Sequence, residues 1–501
     1  MVTKNATLLL KKSTTAGAIP TPAQLQSGEL AVNTVDEKLL FKNNAGRVVP
    51  LGWMGTPVTR FGVIGDGVAD DTLAIRAATA SGKTLVWHEG VYKTTDSIEM
   101  TTPQRWIALG RVQFKYAATA GSLVKVQLWF KDYAFACGDF FADHNALAGN
   151  YVEPEPNPGG FVKPHGNCII VAGDRSILRG WTVTNSFDNG ITVGAYNETT
   201  WAGIPGKPLG AIVEDIQTYS CGMGIHGTAV SGFSGRLGGG VSVASGKGVL
   251  INNCFDKESS QGFVHDVGAG GSAMWTNCHA WGTKRDTVNG TGGTAWYVGT
   301  GDSQFVNCGC TLPDWAGWDI DSPATNNQYT NCFSNGSGRE GLRTKAGDST
   351  WIGLHISNAW RGGGPNDAII VDTGGTGGEG GARNVYGLSF IAPRILYTAQ
   401  TRYGMNLVGS GNAGVEVIGG SLAGISGEVN RNGKELIWLR NSAGAMQMQL
   451  SGGNTYVSGG TWQAPMQLGE HRLWVDSGGR LRIKFGQPTS EGDGAAVGTQ
   501  T

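Results

Sequence analysis

Charged residues are scarce in this sequence, at 15% of 501 positions, and their signs balance to a net charge of −1. A protein whose main partner is nucleic acid usually carries a basic surplus, so this balance argues against that class. Scarce charge also argues against a disordered chain, which stays unfolded because it is highly charged and poor in apolar residues. We therefore expect a folded protein that has no nucleic-acid partner.

Long hydrophobic runs are absent as well. No stretch approaches the roughly 20 apolar residues that a transmembrane helix needs. Residues 1–12 also lack the charged and then apolar pattern of a secretory signal. These absences predict a protein that does not insert into a membrane and is made in a cytoplasm without a secretory signal.

Histidine and cysteine, with eight residues each, form no metal-ligand pattern. His265 and His279 stand alone, and we interpret both as structural. Four of the cysteines end a repeated tetrapeptide, where a small apolar side chain fits a buried stack. We therefore predict free thiols and no disulfide framework. No nucleophile elbow of a serine hydrolase occurs either, and the sequence indicates neither a metal nor a cofactor.

Glycine, in contrast, is abundant at 82 residues, and much of it falls within an internal repeat. Four tetrapeptides end in Asn-Cys, with steps of 24, 30 and 24 residues between their cysteines, at 251–254, 275–278, 305–308 and 329–332. Asn accepts the left-handed dihedrals of a tight corner and can hydrogen-bond to the next coil, whereas Cys packs inward. A repeat of this length indicates a solenoid.

A second repeated segment alternates with the first. It opens on a small residue, usually Gly, and continues as a strand pattern at 190–193, 224–226, 262–266, 295–298, 317–321, 341–345 and 404–408. Two strands per period, with Gly and Asn at the corners, predict an all-β chain. The expected fold is a right-handed parallel β-helix with coils of roughly 24 residues, stacked about 4.8 Å apart.

Residues 1–55 do not share the sequence repeat. They contain short strands, a Pro-rich break and a hairpin turn at 43–46, in too little chain to form a core alone. The segment LQSGELAVNTVDEKLLFKN, residues 25–43, resembles the N-terminal module of bacteriophage tail fibres and tailspikes. This resemblance implies a module that attaches the protein to the phage tail or baseplate.

Residues 56–130 form the predicted entry to the solenoid. FGVIGDG at 61–67, followed by Asp70, Asp71 and a short helix, resembles the opening of the pectate-lyase-like β-helix superfamily. One of these two aspartates is expected to cap the helix, which would cover the open end of the coils. A catalytic role for the aspartates of this motif is disfavoured. The inward helix face is predicted to contain Leu73, Ile75 and Ala78.

Residues 131–428 carry the predicted coils and the expected polysaccharide-binding surface, with insertions at 198–210 and 361–384. Residues 429–501 alternate strands and turns in a separate β-rich module. Within it, residues 464–494 resemble the C-terminal segment of many phage tail fibre proteins. Together the three resemblances imply a homotrimer in the virion that takes part in recognising the host.

The second strands of the repeat place polar side chains on one outer face when they are aligned on their small opening residues. Two neighbouring columns of this face contain His226, Asp266, Tyr297, Asp319, Asp321, Arg343 and Lys345. Carboxylates, cations and a ring suit a sugar polymer, which offers hydroxyl groups and flat apolar faces. We predict substrate-binding roles for His226, Tyr297, Arg343 and Lys345.

Paired aspartates on this face are candidate catalytic residues. Asp319 and Asp321 lie two residues apart on one strand, about 6.7 Å, and Asp266 lies two coils from Asp321, about 9.6 Å. Both separations are near the roughly 6.5–9.5 Å of inverting glycosidases. The neighbouring cations are expected to keep these aspartates ionised, which suits a base, and Glu340 is the candidate acid. The alternative is that opposite charges on adjacent coils simply pair.

The sequence thus favours a phage tailspike, a receptor-binding protein that recognises a bacterial capsule or O-antigen and depolymerises it by glycosidic hydrolysis. A polysaccharide lyase is less favoured, because no calcium-type carboxylate cluster is visible. A tail fibre adhesin that binds the host surface without cleaving it is the non-enzymatic alternative. A cellular pectin-type enzyme is disfavoured by both terminal modules and by the lack of a secretory signal.

Overall fold

The structure of this chain is a computed structural model. It describes residues 10–35, 38–50, 55–117, 125–145, 166–197, 204–222, 238–265, 271–285, 292–361, 367–374, 383–396, 401–411 and 413–422. It also describes the strands 427–430, 435–442, 445–450, 466–468, 471–475, 481–485 and 495–496. Nearly every regular element in these ranges is a strand.

The chain begins with the N-terminal module and the entry to the solenoid. The module contains a 3₁₀ helix (Pro22–Gln24) and the strands β1 (Lys11–Ser13), β2 (Leu30–Asn33), β3 (Lys38–Lys42) and β4 (Val48–Pro50). The entry contains a 3₁₀ helix (Val58–Phe61), the helix α1 (Thr72–Ala80), and β5 (Thr56–Pro57), β6 (Asp66–Asp70), β7 (Thr84–Thr94), β8 (Ile98–Met100), β9 (Gln104–Tyr116) and β10 (Leu128–Phe130).

The coils follow. Their first strands are β11 (Ala134–Asp143), β12 (Ile169–Val171), β13 (Ile177–Thr184), β14 (Ile191–Val193), β15 (Ile212–Glu214), β16 (Gln217–Tyr219), β17 (Gly239–Val243), β18 (Lys247–Asn252), β19 (Phe255–Lys257), β20 (Gln261–His265), β21 (Ser272–Thr276), β22 (His279–Trp281), β23 (Trp296–Val298), β24 (Gln304–Val306) and β25 (Gly309–Thr311). The next are β26 (Trp318–Ile320), β27 (Gln328–Thr330), β28 (Phe333–Asn335), β29 (Leu342–Thr344), β30 (Ser349–Ile352), β31 (His355–Ser357), β32 (Ile369–Asp372), β33 (Val385–Ile391), β34 (Arg394–Ile395), β35 (Tyr403–Val408), β36 (Ala413–Ile418) and β37 (Ser421–Leu422).

The C-terminal strands complete the chain. They are β38 (Gly427–Asn430), β39 (Glu435–Ser442), β40 (Ala445–Leu450), β41 (Met466–Leu468), β42 (His471–Val475), β43 (Leu481–Phe485) and β44 (Ala495–Ala496). The last four pair in order as a small antiparallel sheet.

Three parallel ladders form the solenoid, which confirms a parallel β-helix. The front sheet contains twelve strands, β8, β10, β12, β14, β17, β20, β23, β26, β29, β32, β35 and β38. The second sheet contains β15, β18, β21, β24, β27, β30, β33, β36 and β39, and the third contains β16, β19, β22, β25, β28, β31, β34 and β37. The long strands β7, β9, β11 and β13 begin the second and third sheets together.

Each coil therefore carries three strands, and the prediction of two per period was wrong. The missed strand is the short one that follows each Asn-Cys, such as Phe333–Asn335 after Cys332. Three residues are too few for an alternation pattern to stand out from a turn in the sequence. Six of the seven predicted second segments, by contrast, contain strands of the front sheet, and the seventh, 224–226, lies outside the described residues.

The Asn-Cys repeat forms the corner between the second and third sheets, as predicted. Asn277, Asn307 and Asn331 have φ values of 53°, 53° and 51°, in the left-handed region. Their side chains hydrogen-bond from coil to coil: the amide of Asn307 donates to Asn277 at 3.2 Å, and that of Asn331 to Asn307 at 3.4 Å. The cysteines that follow them are buried, and all eight cysteines are free thiols.

The interior of the solenoid is a stack of large aromatic side chains. Trp296 and Trp318, on neighbouring front strands, lie with ring centroids 4.6 Å apart, and Tyr329 stacks on Trp351 at 3.7 Å. Parallel, in-register strands bring like residues together at the coil spacing. This packing fixes the register of the front sheet, which carries the candidate site.

Helix α1 packs on β7 and β8 and covers the N-terminal end of the coils. Ile75 and Ala78 are fully buried there, but Leu73 is 76% exposed, so its predicted inward position was wrong. Residue 73 lies two positions from 75, about 200° around a helix, and therefore faces away from the core. Asp70 accepts the first helical N–H, that of Thr72, at 3.0 Å. Asp71 instead binds the preceding loop through the N–H groups of Ile64 and Gly65.

The ends of the solenoid differ from the sequence expectation in two respects. The run 361–384, predicted to be an insertion, contains β32, which is a full member of the front sheet. Parallel pairing also continues through β38 and β39, past the division predicted after residue 428. The sequence did not reveal either feature, because neighbouring Gly-rich stretches have the composition of loops.

The N-terminal module is a separate small sheet in which β1 pairs parallel to β2, and β2, β3 and β4 pair antiparallel. The predicted hairpin turn joins β3 and β4, with Gly46 at φ 76° and its N–H bound to the Asn43 carbonyl at 2.9 Å. Its buried core consists of Leu25, Ala31 and Leu40. So small a core is consistent with a module that needs a partner for stability.

Candidate active site

The candidate residues lie on the outer face of the front sheet, in neighbouring strands. Tyr297 of β23 is opposite Asp319 of β26, which in turn is opposite Arg343 of β29. Asp321 follows Asp319 by two positions and Lys345 follows Arg343 by two, so their side chains project to the same face. The predicted columns are therefore correct in this part of the sheet.

Many side chains on the predicted outer face are buried in the folded chain. The outward side chains of Thr192, Ser242, Val264 and Tyr297 are buried, and so is that of Asn406 near the other end. Between these covered stretches, the outward residues of β26 and β29 and those that follow them remain partly open. We call this region the cleft; its partly open residues are Asp319, Asp321, Arg343, Lys345 and Arg383, and the buried residues Tyr297 and Asp372 border it.

Asp321 is a carboxylate of the cleft with three partners on different coils. Its Oδ2 accepts a hydrogen bond from the Tyr297 hydroxyl at 2.9 Å. Its Oδ1 lies 3.6 Å from Lys345 Nζ and 4.0 Å from Arg383 Nη1. Two cations and a hydroxyl donor therefore surround this carboxylate.

Asp319 has a different environment from its neighbour. Its side chain is half-buried, and its Oδ1 lies fully inside without a hydrogen-bond partner among the described residues. Burial raises the pKa of the Asp319 carboxyl above its usual range, although Lys345 and Arg343 lower it. For the Asp319 carboxyl, desolvation thus outweighs the nearby charges, and the expectation that the cations keep both aspartates ionised stays a prediction.

Glu340, the predicted acid, is 1% exposed and forms an ion pair with Arg339 at 3.1 Å. A carboxyl so deeply covered cannot reach a substrate that lies on the outer face of the sheet. Its charge nevertheless acts on the cleft, where it raises the pKa of Asp319. We therefore correct its role from a catalytic to a structural and electrostatic one.

The sequence analysis did not identify two charged residues of the cleft, Asp372 and Arg383. Arg343 Nη2 binds Asp372 Oδ2 at 2.5 Å, so Arg343 is paired with a carboxylate on the next coil. Arg383 reaches Asp321 from the segment before β33. The signal for Asp372 was present, because the small residue Ala368 is followed by the short apolar run Ile369–Val371 and then by Asp372.

Two predicted residues, His226 and Asp266, lie outside the described residues. The register of His226 was wrong, however, because the front strand between β14 and β20 is β17. Ser242, not His226, takes the position opposite Thr192 and Val264. The GlyIleHis segment fitted the sequence pattern, but so did the Gly-rich strand that lies further along the chain.

Metal ligands and membrane helices were also sought in the described part of the chain. No three His, Cys, Asp or Glu side chains in it come together as ligands for a metal ion. No helix there is both long and apolar enough to cross a bilayer. His265 is a core residue, whose Nε2 lies 2.8 Å from Ser303 Oγ and whose pKa burial lowers to about 4.

The two aspartates of the cleft differ in their surroundings. Burial raises the pKa of Asp319, whereas Asp321 lies beside the cations of Lys345 and Arg383. The two residues are two positions apart on an extended segment, about 6.7 Å along the chain.

Comparison with known proteins gives three kinds of result. No curated protein sequence matches the chain. The A-module of Azotobacter vinelandii mannuronan C-5 epimerase AlgE6 aligns over 75% of this chain and 95% of its own, with 13% identity and a TM-score of 0.45. The N-terminal fragment of bacteriophage phi29 gene product 12 aligns over 75% and 71%, with 12% identity and a TM-score of 0.40.

PfbA, a surface adhesin of Streptococcus pneumoniae, aligns over 85% of this chain and 99% of its own, with 11% identity and a TM-score of 0.41. At these values, none of the three likenesses extends to function. One family model matches as well. Residues 427–499, from the last strand of the front sheet through the C-terminal sheet, match the family described as capsule depolymerase.

Proposed function

We propose that this chain is a bacteriophage tailspike that recognises a bacterial surface polysaccharide, a capsule or an O-antigen, and hydrolyses its glycosidic bonds with inversion. The observation that carries the proposal is the contrast between Asp319 and Asp321 on one strand of an outer face. The capsule depolymerase match at 427–499 supports the substrate class. The resemblance of residues 25–43 to phage tail modules supports the virion setting.

In this mechanism Asp319 is the general acid and Asp321 is the general base. Asp321 takes a proton from a water molecule, whose oxygen attacks the anomeric carbon. Asp319 gives its proton to the leaving glycosidic oxygen as the old bond breaks. Each turnover ends with Asp321 protonated and Asp319 ionised, and exchange with solvent restores both. The Tyr297 hydroxyl and Lys345 orient the base through the contacts they make with Asp321.

The assembly belongs to the same proposal. The coils are taken to be right-handed, as parallel connections almost always are. Three chains would associate in parallel, with residues 1–55 docked on the phage tail or baseplate and 429–501 at the other end. Sedimentation of the purified chain as a stable monomer with folded termini would contradict the trimer.

The test is cleavage of purified capsular or O-antigen polysaccharide, followed as new reducing ends. Wild-type protein is expected to produce them, and Asp321→Asn is expected to be at least about 10²-fold slower while still binding the polymer. The control is Asp302→Asn, because Asp302 is an exposed carboxylate at a left-handed corner where Asn fits equally well.

Other outcomes separate the alternatives. Binding without new reducing ends would favour a non-enzymatic adhesin. Products with the ultraviolet absorbance of an unsaturated uronic acid would favour a lyase. Normal cleavage by both Asp319→Asn and Asp321→Asn would place the active site elsewhere.

A further inference from the structure

The outer face of the second sheet carries two straight columns of side chains. Strands β18, β21, β24, β27, β30 and β33 pair in register, so the outward residues of each strand lie opposite those of the next. The first column contains Leu250, Met274, Gln304, Gln328, Thr350 and Ser389, and the second contains Asn252, Thr276, Val306, Thr330, Ile352 and Ile391. We call these twelve residues the neutral strip.

None of the twelve side chains of the neutral strip is charged. Beyond its ends, the second column continues to Glu214 on β15 and the first to Glu416 on β36. A soluble surface with no partner commonly contains roughly a quarter to a third charged residues. Twelve neutral positions in succession are instead typical of the centre of a protein–protein interface, from which charged residues are depleted.

The neutral strip also exposes large apolar side chains. Met274 is 43% exposed and Ile352 is 41% exposed. Ile352 lies between Thr330 and Ile391 in the second column, so three β-branched side chains follow one another on consecutive coils. β-branched side chains are already stiff at χ1, and therefore lose little conformational entropy when a second surface covers them.

The surroundings of the neutral strip are more polar than the strip. The exposed residues Asn277, Asn307 and Asn331 border it at the corner with the third sheet. On the outer face of the third sheet, Lys257 lies with its Nζ 4.9 Å from the Trp281 ring centroid. The front sheet carries the charged residues of the cleft. A neutral centre with a polar border is the usual anatomy of an interface.

The composition of the neutral strip suits a second copy of this chain better than a sugar. A sugar polymer stacks on aromatic rings, and the strip contains none. A neutral face meets an identical face without repulsion between like charges. The columns extend along the solenoid for five steps of about 4.8 Å, roughly 24 Å, so a parallel copy offers the same columns at the same spacing.

We propose that the neutral strip is the face through which parallel copies of this chain associate, with their second sheets turned towards a common axis. This inference rests on the trimer proposed above and adds the surface that forms it. The cleft lies on the front sheet, so the arrangement leaves it open to a polysaccharide. The substrate would therefore bind within one chain and not between two.

The first test is cross-linking of chains that carry one new cysteine. Ile352→Cys, treated with a bifunctional maleimide that spans about 10 Å, should give covalently joined chains on a denaturing gel, because packed sheets lie about 10 Å apart. Leu396→Cys is the matched control, since Leu396 is also 41% exposed but follows β34 of the third sheet. It should give no more joined chains than wild type, whose own cysteines supply the background.

The second test is sedimentation over a range of concentrations. Ile352→Lys brings like charges together at the axis and should raise the concentration of half-dissociation at least about tenfold, whereas Leu396→Lys should sediment like wild type. An equal mixture of Ile352→Lys and Ile352→Glu should associate more tightly than either variant alone, because opposite charges then meet. Only variants with the wild-type circular dichroism are compared, so that loss of folding is not mistaken for loss of the interface.

The outcomes separate the interface from the function proposed above. Equal cross-linking of Ile352→Cys and Leu396→Cys, or wild-type association of Ile352→Lys, would overturn the neutral strip as the interface and leave the trimer. A wild-type chain that sediments as a monomer would overturn both. Association through the strip in a protein that forms no reducing ends would retain the interface and reject the depolymerase.

Discussion

Asp319 in the cleft and Asp256 in the interior both have a raised pKa, but their side chains face opposite sides of the solenoid wall. Burial raises the pKa of both carboxyls, that of Asp256 to about 7, and each has an oxygen atom without a hydrogen-bond partner in the described part of the chain. Asp256 is 0% exposed and faces the core, where its Oδ1 accepts hydrogen bonds from Thr218 and Ser259 at 2.6 Å. Asp319 faces outward among charged groups.

The comparison shows that a raised pKa does not identify a catalytic residue by itself. Structural groups are perturbed by the same desolvation as functional ones. What distinguishes Asp319 is its place on an outer face, with a second carboxylate on the same strand and cations on the next coil. Substitutions in the two regions should therefore have different consequences.

The largest expected effect is on the rate of cleavage. Asp319→Asn has no proton to give to the leaving oxygen, so it should slow the formation of reducing ends at least about 10²-fold. Asp256→Asn should cleave at the wild-type rate, because no substrate reaches the core. Equal cleavage rates for Asp319→Asn and Asp256→Asn would contradict a catalytic difference between the cleft and the interior.

For thermal stability, the expected effect lies at Asp256, which has no role in cleavage. The pKa of Asp256 is raised from 3.8 to about 7, so its contribution to stability is fully present below about pH 4 and is lost as the pH rises to about 7. The shift corresponds to roughly 4 kcal/mol. Asp256→Asn does not titrate and should therefore unfold at a higher temperature than wild type at pH 8, with a smaller difference at pH 4. Thermal melts across this range check the prediction, with Asp302→Asn as the control that should show no such trend.

Lys345→Met should shift the pH dependence of cleavage upward. Lys345 lowers the pKa of Asp319, so its removal raises that pKa further. Cleavage requires protonated Asp319 and falls as the pH rises through this pKa, so the alkaline limb of the pH–rate profile should move to higher pH. A shift to lower pH would contradict the assignment of Asp319 as the acid.

Glu340→Gln is expected to have the smallest effect. The negative charge of Glu340 raises the pKa of Asp319, so the neutral variant should move the alkaline limb to lower pH, opposite to Lys345→Met. The maximal rate should fall less than tenfold, because Glu340 does not contact the substrate. A loss of 10²-fold or more would instead restore Glu340 as the acid.

The repeat and the register around the cleft follow from the amino-acid sequence alone. A left-handed corner favours Asn, so the Asn-Cys tetrapeptides marked one corner of each coil wherever they occurred. Parallel strands of equal period stack in register, and this alone placed Tyr297, Asp319 and Arg343 side by side. Alternation along a strand then gave the outward direction of Asp321 and Lys345.

The packing of the coils, in contrast, sets which of these side chains are covered and how burial shifts the pKa of Asp319. Desolvation depends on residues that are distant in sequence, so neither the burial of the outer face nor the raised pKa of Asp319 follows from a local pattern. Arg383 and Asp372 enter the cleft from later coils for the same reason. Arg285 and Arg339 likewise contact the ring of Trp315 only when the coils stack, because the three residues come from separate coils.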